Sequence, residues 1–186
     1  DNRFISERVN QIRNWNMNFV QGDILDKELM QKNCHDADIV HHLAGITDVP
    51  RVMSDSSEEH DKKIKKVAEE GTQNILDSIN DQCKIVMPST HVVYEGIQNI
   101  KDDILENEET SPVLAYSKSK DFNEKQLKDS GKNYIILRLG SVYGYSTDTA
   151  RIDIMVNLFS KMASQNGTLR LFAGGKQLKS LVPLID

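Results

Sequence analysis

The chain has 186 residues, 38% hydrophobic and 27% charged, which suits one globular domain with a proper core. A formal charge of -5, with no stretch that interleaves basic residues with aromatics, argues against nucleic acid as a partner. The longest apolar runs, YIIL and SLVPLI, fall far below the roughly 18 residues of a membrane span, the first residues lack the basic start and apolar stretch of an export signal, and Cys34 and Cys83 stand isolated, so a cytoplasmic protein with reduced thiols is expected.

Taken in chain order, ISERVNQIRNW reads as a helix, NMNFVQ as a strand, DKELMQKN as a short helix and ADIVHHLAG as a buried strand ending in a small-residue turn. The stretch from Asp55 to Asn80 places Ile64, Val67, Ile75, Leu76 and Ile79 at largely helical spacings and predicts a long helix with a charged outer face. KIVMPST is the next strand. TSPVLAYSKSKDFNEKQLKDSG is a helix opened by Thr110 or Ser111, with Pro112 near its first turn and Gly131 closing it. NYIILRLGSVYG predicts a strand running into a loop, RIDIMVNLFSKMASQNG a helix and TLRLFAGG a strand. Strands alternating with helices imply an α/β fold with a parallel sheet and flanking helices. Ligands of such sheets lie beyond the carboxyl ends of the strands, which directs attention to the exits FVQGD, HHLAG, MPSTHVVY and LRLGSVYG.

One of the helices carries Tyr116 four positions before Lys120. The spacing alone proves little, because composition produces such a match with an expectation of about 0.4. Its neighbours add weight. The ordered set FVQGDILD, DIVHHLAG, GTQNIL, IVMPSTHVVY, YSKSK and LRLGSVYG resembles the extended short-chain dehydrogenase/reductase family, the NAD-dependent epimerase/dehydratases that include UDP-galactose 4-epimerase. The clearest matches run from residue 19 to residue 144, and LFAGGKQLKSLVPLID is similar to the segment that enters the family's sugar-nucleotide domain. The resemblance implies a Rossmann-like sheet, incomplete at its amino end, with a partial dinucleotide-binding domain over 1–150 and the start of a substrate-domain region over 151–186.

It also implies a function: an NAD-dependent sugar-nucleotide epimerase or keto-reductase, acting on a nucleotide-sugar and pairing as a homodimer through the long helix and the Tyr116 helix. Tyr116 would exchange the hydroxyl proton. Lys120, on the same helix face, would favour the phenolate of a side chain whose ordinary pKa is about 10. Thr90 would orient the reacting oxygen, with Ser89 as its neighbour and substitute; a strand-terminal hydroxyl bonded to local backbone is the plain alternative for Thr90. The family's dehydratases follow this threonine with an aspartate and a glutamate. This chain has His91 and Val92, and valine cannot transfer a proton, which disfavours water elimination.

The remaining matches concern binding. Asp1 resembles the acidic end of the second strand, which holds the adenosine ribose and favours NAD over NADP. Asp23 resembles the family's aspartate near the adenine, and Ile24 its apolar follower. The turn Leu43, Ala44 and Gly45 would let backbone approach the cofactor. Ser141 and Val142 match the loop beside the nicotinamide, and Lys179 falls where the family often grips the substrate diphosphate with arginine, whose bidentate fork lysine lacks. His41 and His42 point to opposite faces of one strand, which suits packing better than metal binding. AGGK, ending at Lys176, lacks the spacing of a phosphate loop and reads as a turn.

Two departures stand out. The glycine fingerprint GxxGxxG does not occur, so the chain is expected to be a core fragment of a longer enzyme or a truncated protein, and Ala68 replaces the asparagine common in the family three residues before GT. A noncatalytic or degenerate Rossmann-like scaffold that has lost cofactor binding is the rival reading.

Overall fold

The computed structural model describes residues 9–47, 57–99, 101–144, 152, 154–176 and 178–185. Residues 9–14 are helical. The elements that follow are α1 (Lys27–Cys34), β1 (Ile39–His41), α2 (Glu58–Ser78), β2 (Lys84–Thr90), a 3-10 turn (His91–Tyr94), α3 (Ala115–Asp129), β3 (Asn133–Leu139), β4 (Ser141–Tyr143), α4 (Met155–Ser164), a second 3-10 turn (Phe172–Gly175) and β5 (Leu181–Pro183). This is an α/β fold with parallel strands and flanking helices, as the alternating pattern predicts.

The sheet runs in the order β1-β2-β3, all parallel, with Val40 opposite Ile85 and Ser89 opposite Arg138. Strand periodicity puts Ile85, Met87 and Ser89 of β2 on one face, where α2 and α3 cover them. There Ile75, Leu76, Ile79, Cys83, Ile85, Met87 and Leu127 form the core, with Ile24, Val40 and Ile136 packed against it. Each such side chain contributes about 1.5–3 kcal/mol when fully buried.

Local chemistry sets the ends. Asp26 caps α1 by accepting from Leu29 N at 3.0 Å, Ser57 caps α2 through His60 N, and Gly131, at a φ of 70°, releases the chain after α3. Gly71 lets the 23–24 loop close on α2: a Cβ there would stand 2.3 Å from the Ile24 side chain. Asn74 secures the contact by donating to Ile24 O at 3.0 Å.

Three expected elements differ. NMNFVQ is not a strand: no described strand pairs with it, and Met17, Phe19 and Val20 are exposed. TLRLFAGG is not a strand either, because Gly174 and Gly175 take φ values of 66° and 71°, outside the extended region, and close a 3-10 turn. α3 begins at Ala115, later than Thr110 or Ser111, and Leu114 precedes it with no side-chain cap of its own. Thr110 instead donates to Asp121 at 2.6 Å. One element was not foreseen. The apolar run after Lys179 forms β5, which pairs in parallel with β4, so residues 141–143 and 181–183 form a second, two-stranded sheet. Among the described residues no helix is long and apolar enough to cross a membrane.

Candidate active site

The carboxyl end of β2 and the first turns of α3 meet at one place. Lys120 makes the junction: its Nζ donates to Pro88 O at 2.9 Å, two residues before Thr90. Burial lowers the Lys120 pKa, and among the described residues no carboxylate pairs with it. A desolvated ammonium with a carbonyl as its partner retains donors for another oxygen. Tyr116 lies one turn earlier on the same helix, in the position from which i,i+4 side chains meet.

Thr90 is buried and ends β2. Its Oγ1 accepts from Val92 N at 3.3 Å, the local backbone bond anticipated as the alternative, and this caps the 3-10 turn. Accepting there leaves the hydroxyl proton able to donate. Ser89 does something different. It points to the other face of β2, where its hydroxyl donates to Glu124 Oε1 at 2.6 Å. The two adjacent hydroxyls therefore do not converge, and Ser89 serves the packing of α3 on the sheet.

That packing holds a buried charge network. Glu124, 1% exposed, accepts from Arg138 Nη2 at 2.6 Å and Nε at 2.9 Å. Arg138 also reaches Glu106 O at 2.9 Å, bonds to the Tyr94 hydroxyl and lies over the Tyr94 ring with 5.2 Å to the centroid. Burial pushes the Glu124 carboxyl up, but the bonds from Arg138 and Ser89 outweigh it and hold it below the ordinary carboxylate range. The network ties α3, β2, β3 and the 105–106 loop together behind the site. Sequence reading missed it, although two signals were present: Glu124 continues the i,i+4 series of Tyr116 and Lys120, and Arg138 is a lone charge in an apolar strand.

His42 supplies a second buried polar contact. It follows β1, is 4% exposed, and its Nε2 lies 2.9 Å from Thr72 Oγ1. Desolvation, reinforced by the charge of Lys120, lowers its pKa to about 4. At neutral pH it is an uncharged neighbour of the lysine. His41 is exposed, so the two histidines face opposite ways as the strand period requires.

The other expected residues take varied positions. Asp23 is exposed and folds into a turn, Oδ1 accepting from Leu25 N at 3.0 Å, while Ile24 is half-buried against α2. Leu43, Ala44 and Gly45 are exposed at the exit of β1, and a Cβ on Gly45 would meet no protein atom within 4 Å. Ser141 and Val142 are half-buried in β4, and Ser141 N donates to Ser180 O at 2.8 Å. Lys179 is exposed but its charge is felt by His91, the residue after Thr90, whose pKa is lowered first by burial and further by Lys179. Thus Lys179 stands on the Thr90 side of the molecule. Asp1 lies outside the described residues.

The fold has counterparts among known proteins. The chain superposes on the UDP-glucuronic acid 4-epimerase of Bacillus cereus with a TM-score of 0.73 at 23% identity, covering 90% of this chain and 52% of that one. The UDP-glucose 4-epimerase of Thermotoga maritima gives 0.69 at 22% identity, covering 90% and 55%. DesIV, a dTDP-glucose 4,6-dehydratase of Streptomyces venezuelae, gives 0.70 at 23% identity, covering 90% and 51%. The chain spans about half the length of each of these proteins, and at such identities the likeness shows the fold. The sequence profile reaches further, matching residues 2–183, and on that match the chain belongs to the NAD dependent epimerase/dehydratase family.

Proposed function

We propose that this chain is the core of an NAD-dependent sugar-nucleotide epimerase or keto-reductase in which Tyr116 moves the proton, Lys120 supports its phenolate and Thr90 orients the substrate oxygen. The observation that carries the reading is the position of Lys120. Its side chain is half-buried, its ammonium lacks a carboxylate among the described residues, and it is drawn to the end of β2 beside Thr90, one helical turn from Tyr116. A cation so placed favours a phenolate over a phenol, which turns a weak base into a usable one. Thr90, donating from the strand end, would hold the same alcohol or carbonyl oxygen that exchanges its proton with Tyr116.

NAD, when bound, supplies the hydride acceptor for the carbon that bears this oxygen. The residues present fit such a ligand at several points. Gly45 leaves its backbone exposed, with no protein atom within 4 Å of where a Cβ would stand, Asp23 offers a carboxylate at a loop tip, and Ser141 and Val142 flank the strand exit next to β2. Ile24 would support the adenine side, Leu43 and Ala44 the approach to the pyrophosphate, and Asp1 the ribose in preference to an NADP phosphate. Lys179 supports a nucleotide-sugar diphosphate from the His91 side. His91 and Val92 after Thr90 offer no carboxylic acid and base, which favours epimerisation or reduction over dehydration. A homodimer would use the paired helices α2 and α3, where Phe122 is exposed.

The test uses the intact protein with NAD and UDP-sugars. Tyr116→Phe is expected to lower turnover by roughly 100-fold or more while leaving NADH fluorescence titrations unchanged. Net NADH consumption would mark a reductase, and its absence during sugar conversion an epimerase. Full turnover in the Phe variant overturns the assignment, and failure of the intact protein to bind NADH establishes the noncatalytic scaffold instead.

A further inference from the structure

The amino end of α3 has an unusual fastening. Leu114 offers no side-chain cap, and the chain that enters the helix is held from elsewhere, by Glu95. Its Oε1 accepts from Val113 N and Leu114 N, both at 2.8 Å, and from the Ser117 hydroxyl. A carboxylate at this end also meets the positive pole of the helix dipole.

Glu95 comes from the turn that directly follows Thr90, so these bonds join the two pieces of the site. Backbone pairs run beside them: Ser111 N donates to Val93 O at 2.7 Å and Gly96 N to Ser111 O at 2.8 Å. The two segments of this strap are too close for a side chain at residue 96, where a Cβ would fall 2.5 Å from Ser111 Oγ and 2.6 Å from Ser111 O. Residues 93–96 and 111–117 are therefore held side by side, with one carboxylate gathering three donors.

We infer that Glu95 is a positioning residue for proton transfer: its carboxylate ties the first turn of α3, which carries Tyr116, to the turn after Thr90, fixing the phenol against the hydroxyl. The inference rests on the roles proposed above for Tyr116 and Thr90. Its geometric consequence is specific. Tyr116 is the second residue of α3 and moves if the first turn frays, whereas Lys120 lies a turn deeper and is anchored independently on Pro88 O. Losing the strap should thus disturb the relation of phenol to substrate oxygen while sparing the lysine and the binding surfaces. Rates are sensitive to such displacement, with about 1 Å enough to cost up to 100-fold.

The experiment compares Glu95→Ala and Glu95→Gln in the intact protein, measuring kcat, KM, NADH affinity and amide exchange over residues 113–117. Glu95→Ala should lower kcat by about 10-fold or more, keep KM and NADH affinity within about twofold, and accelerate exchange at Val113 and Leu114. Glu95→Gln, which keeps an oxygen acceptor, should restore most of the rate. If Glu95→Ala does not fold, Ser117→Ala removes one bond of the three and should show the same pattern with a smaller loss. A kcat loss shared equally by the alanine and glutamine variants, or unchanged exchange at Val113 and Leu114, overturns the inference. Slow Tyr116→Phe beside an unimpaired Glu95→Ala overturns this inference alone; full turnover in Tyr116→Phe overturns the catalytic reading and this one with it.

Discussion

His42 gives the chain a pH dependence that can be worked out from its surroundings. The imidazole is 4% exposed, bonded to Thr72 at 2.9 Å and close enough to Lys120 for that charge to oppose its own, so its pKa falls from 6.5 to about 4. The unfolded chain, with the ordinary value, binds the proton more tightly. Stability is therefore lost as pH falls below the unfolded value, and the loss is complete once pH passes below the folded one. Linkage puts the destabilisation at about 2 kcal/mol by pH 5 and about 3 kcal/mol by pH 4. Other groups change in or near this range: His91 is also lowered, chiefly by burial, and the Glu124 and Asp121 carboxyls sit below their ordinary values. A difference experiment isolates His42. Urea unfolding of the parent and of His42→Gln, whose amide reaches toward Thr72 but does not titrate, should be compared at pH 7 and pH 5. The parent should lose about 2 kcal/mol more than the variant across that interval. Parallel losses in the two proteins would refute the argument, because they would mean that His42 is equally easy to protonate folded and unfolded.

Glu124→Ala leaves Arg138 without its carboxylate and Ser89 without its acceptor, and breaking such a buried pair should cost about 3–5 kcal/mol, read from the denaturant midpoint; a change below about 1 kcal/mol would show that water replaces the carboxylate at no cost. Lys120→Met should act in the opposite sense on stability, leaving the unfolding midpoint unchanged or raised while turnover falls roughly 100-fold or more, and a lowered midpoint would make the lysine a structural residue.

The features that proved legible in the sequence are those settled by neighbours along the chain. KIVMPST is β2 over its full length, and the apolar spacing from Ile64 to Leu76 gives α2, because strand alternation and helix period are written in adjacent residues. NMNFVQ has the composition of a strand, but a strand exists only where another pairs with it, and that is not a local property. The start of α3 is hidden for the same reason: the amides of Val113 and Leu114 just ahead of it are held by Glu95, 18 and 19 residues upstream, where a search for Ser, Thr, Asp or Asn just before the helix does not look. At the site, the helix puts Tyr116 and Lys120 at i and i+4, as the spacing predicts. Spacing could not separate Ser89 from Thr90, because alternation says only that the two face opposite ways. What assigns the faces is Glu124, which claims Ser89 from below the sheet.

The two carboxylates of α3 nearest Lys120 in sequence have other partners. Glu124 is four residues on from Lys120 and could pair with it along the helix, which is the ordinary fate of a lysine and a glutamate at that spacing. Arg138 and Ser89 occupy its oxygens instead, and Lys128, four residues further still, takes the outer position at 3.5 Å. Asp121, next to Lys120 in sequence, is likewise held by Lys125 and Thr110. Lys120 is left half-buried with Pro88 O as its partner, an arrangement that costs desolvation energy without the return of an ion pair. A helix selected for stability alone would have paired this lysine or replaced it with an apolar residue. A helix that must hold a cation one turn from a phenol gains from keeping every nearby carboxylate engaged, since an aspartate or glutamate on the ammonium would cancel the field that favours the phenolate. On the role proposed for Lys120, the Arg138 network would do more than pack α3 on the sheet, because it holds the Glu124 oxygens that could otherwise pair with the lysine.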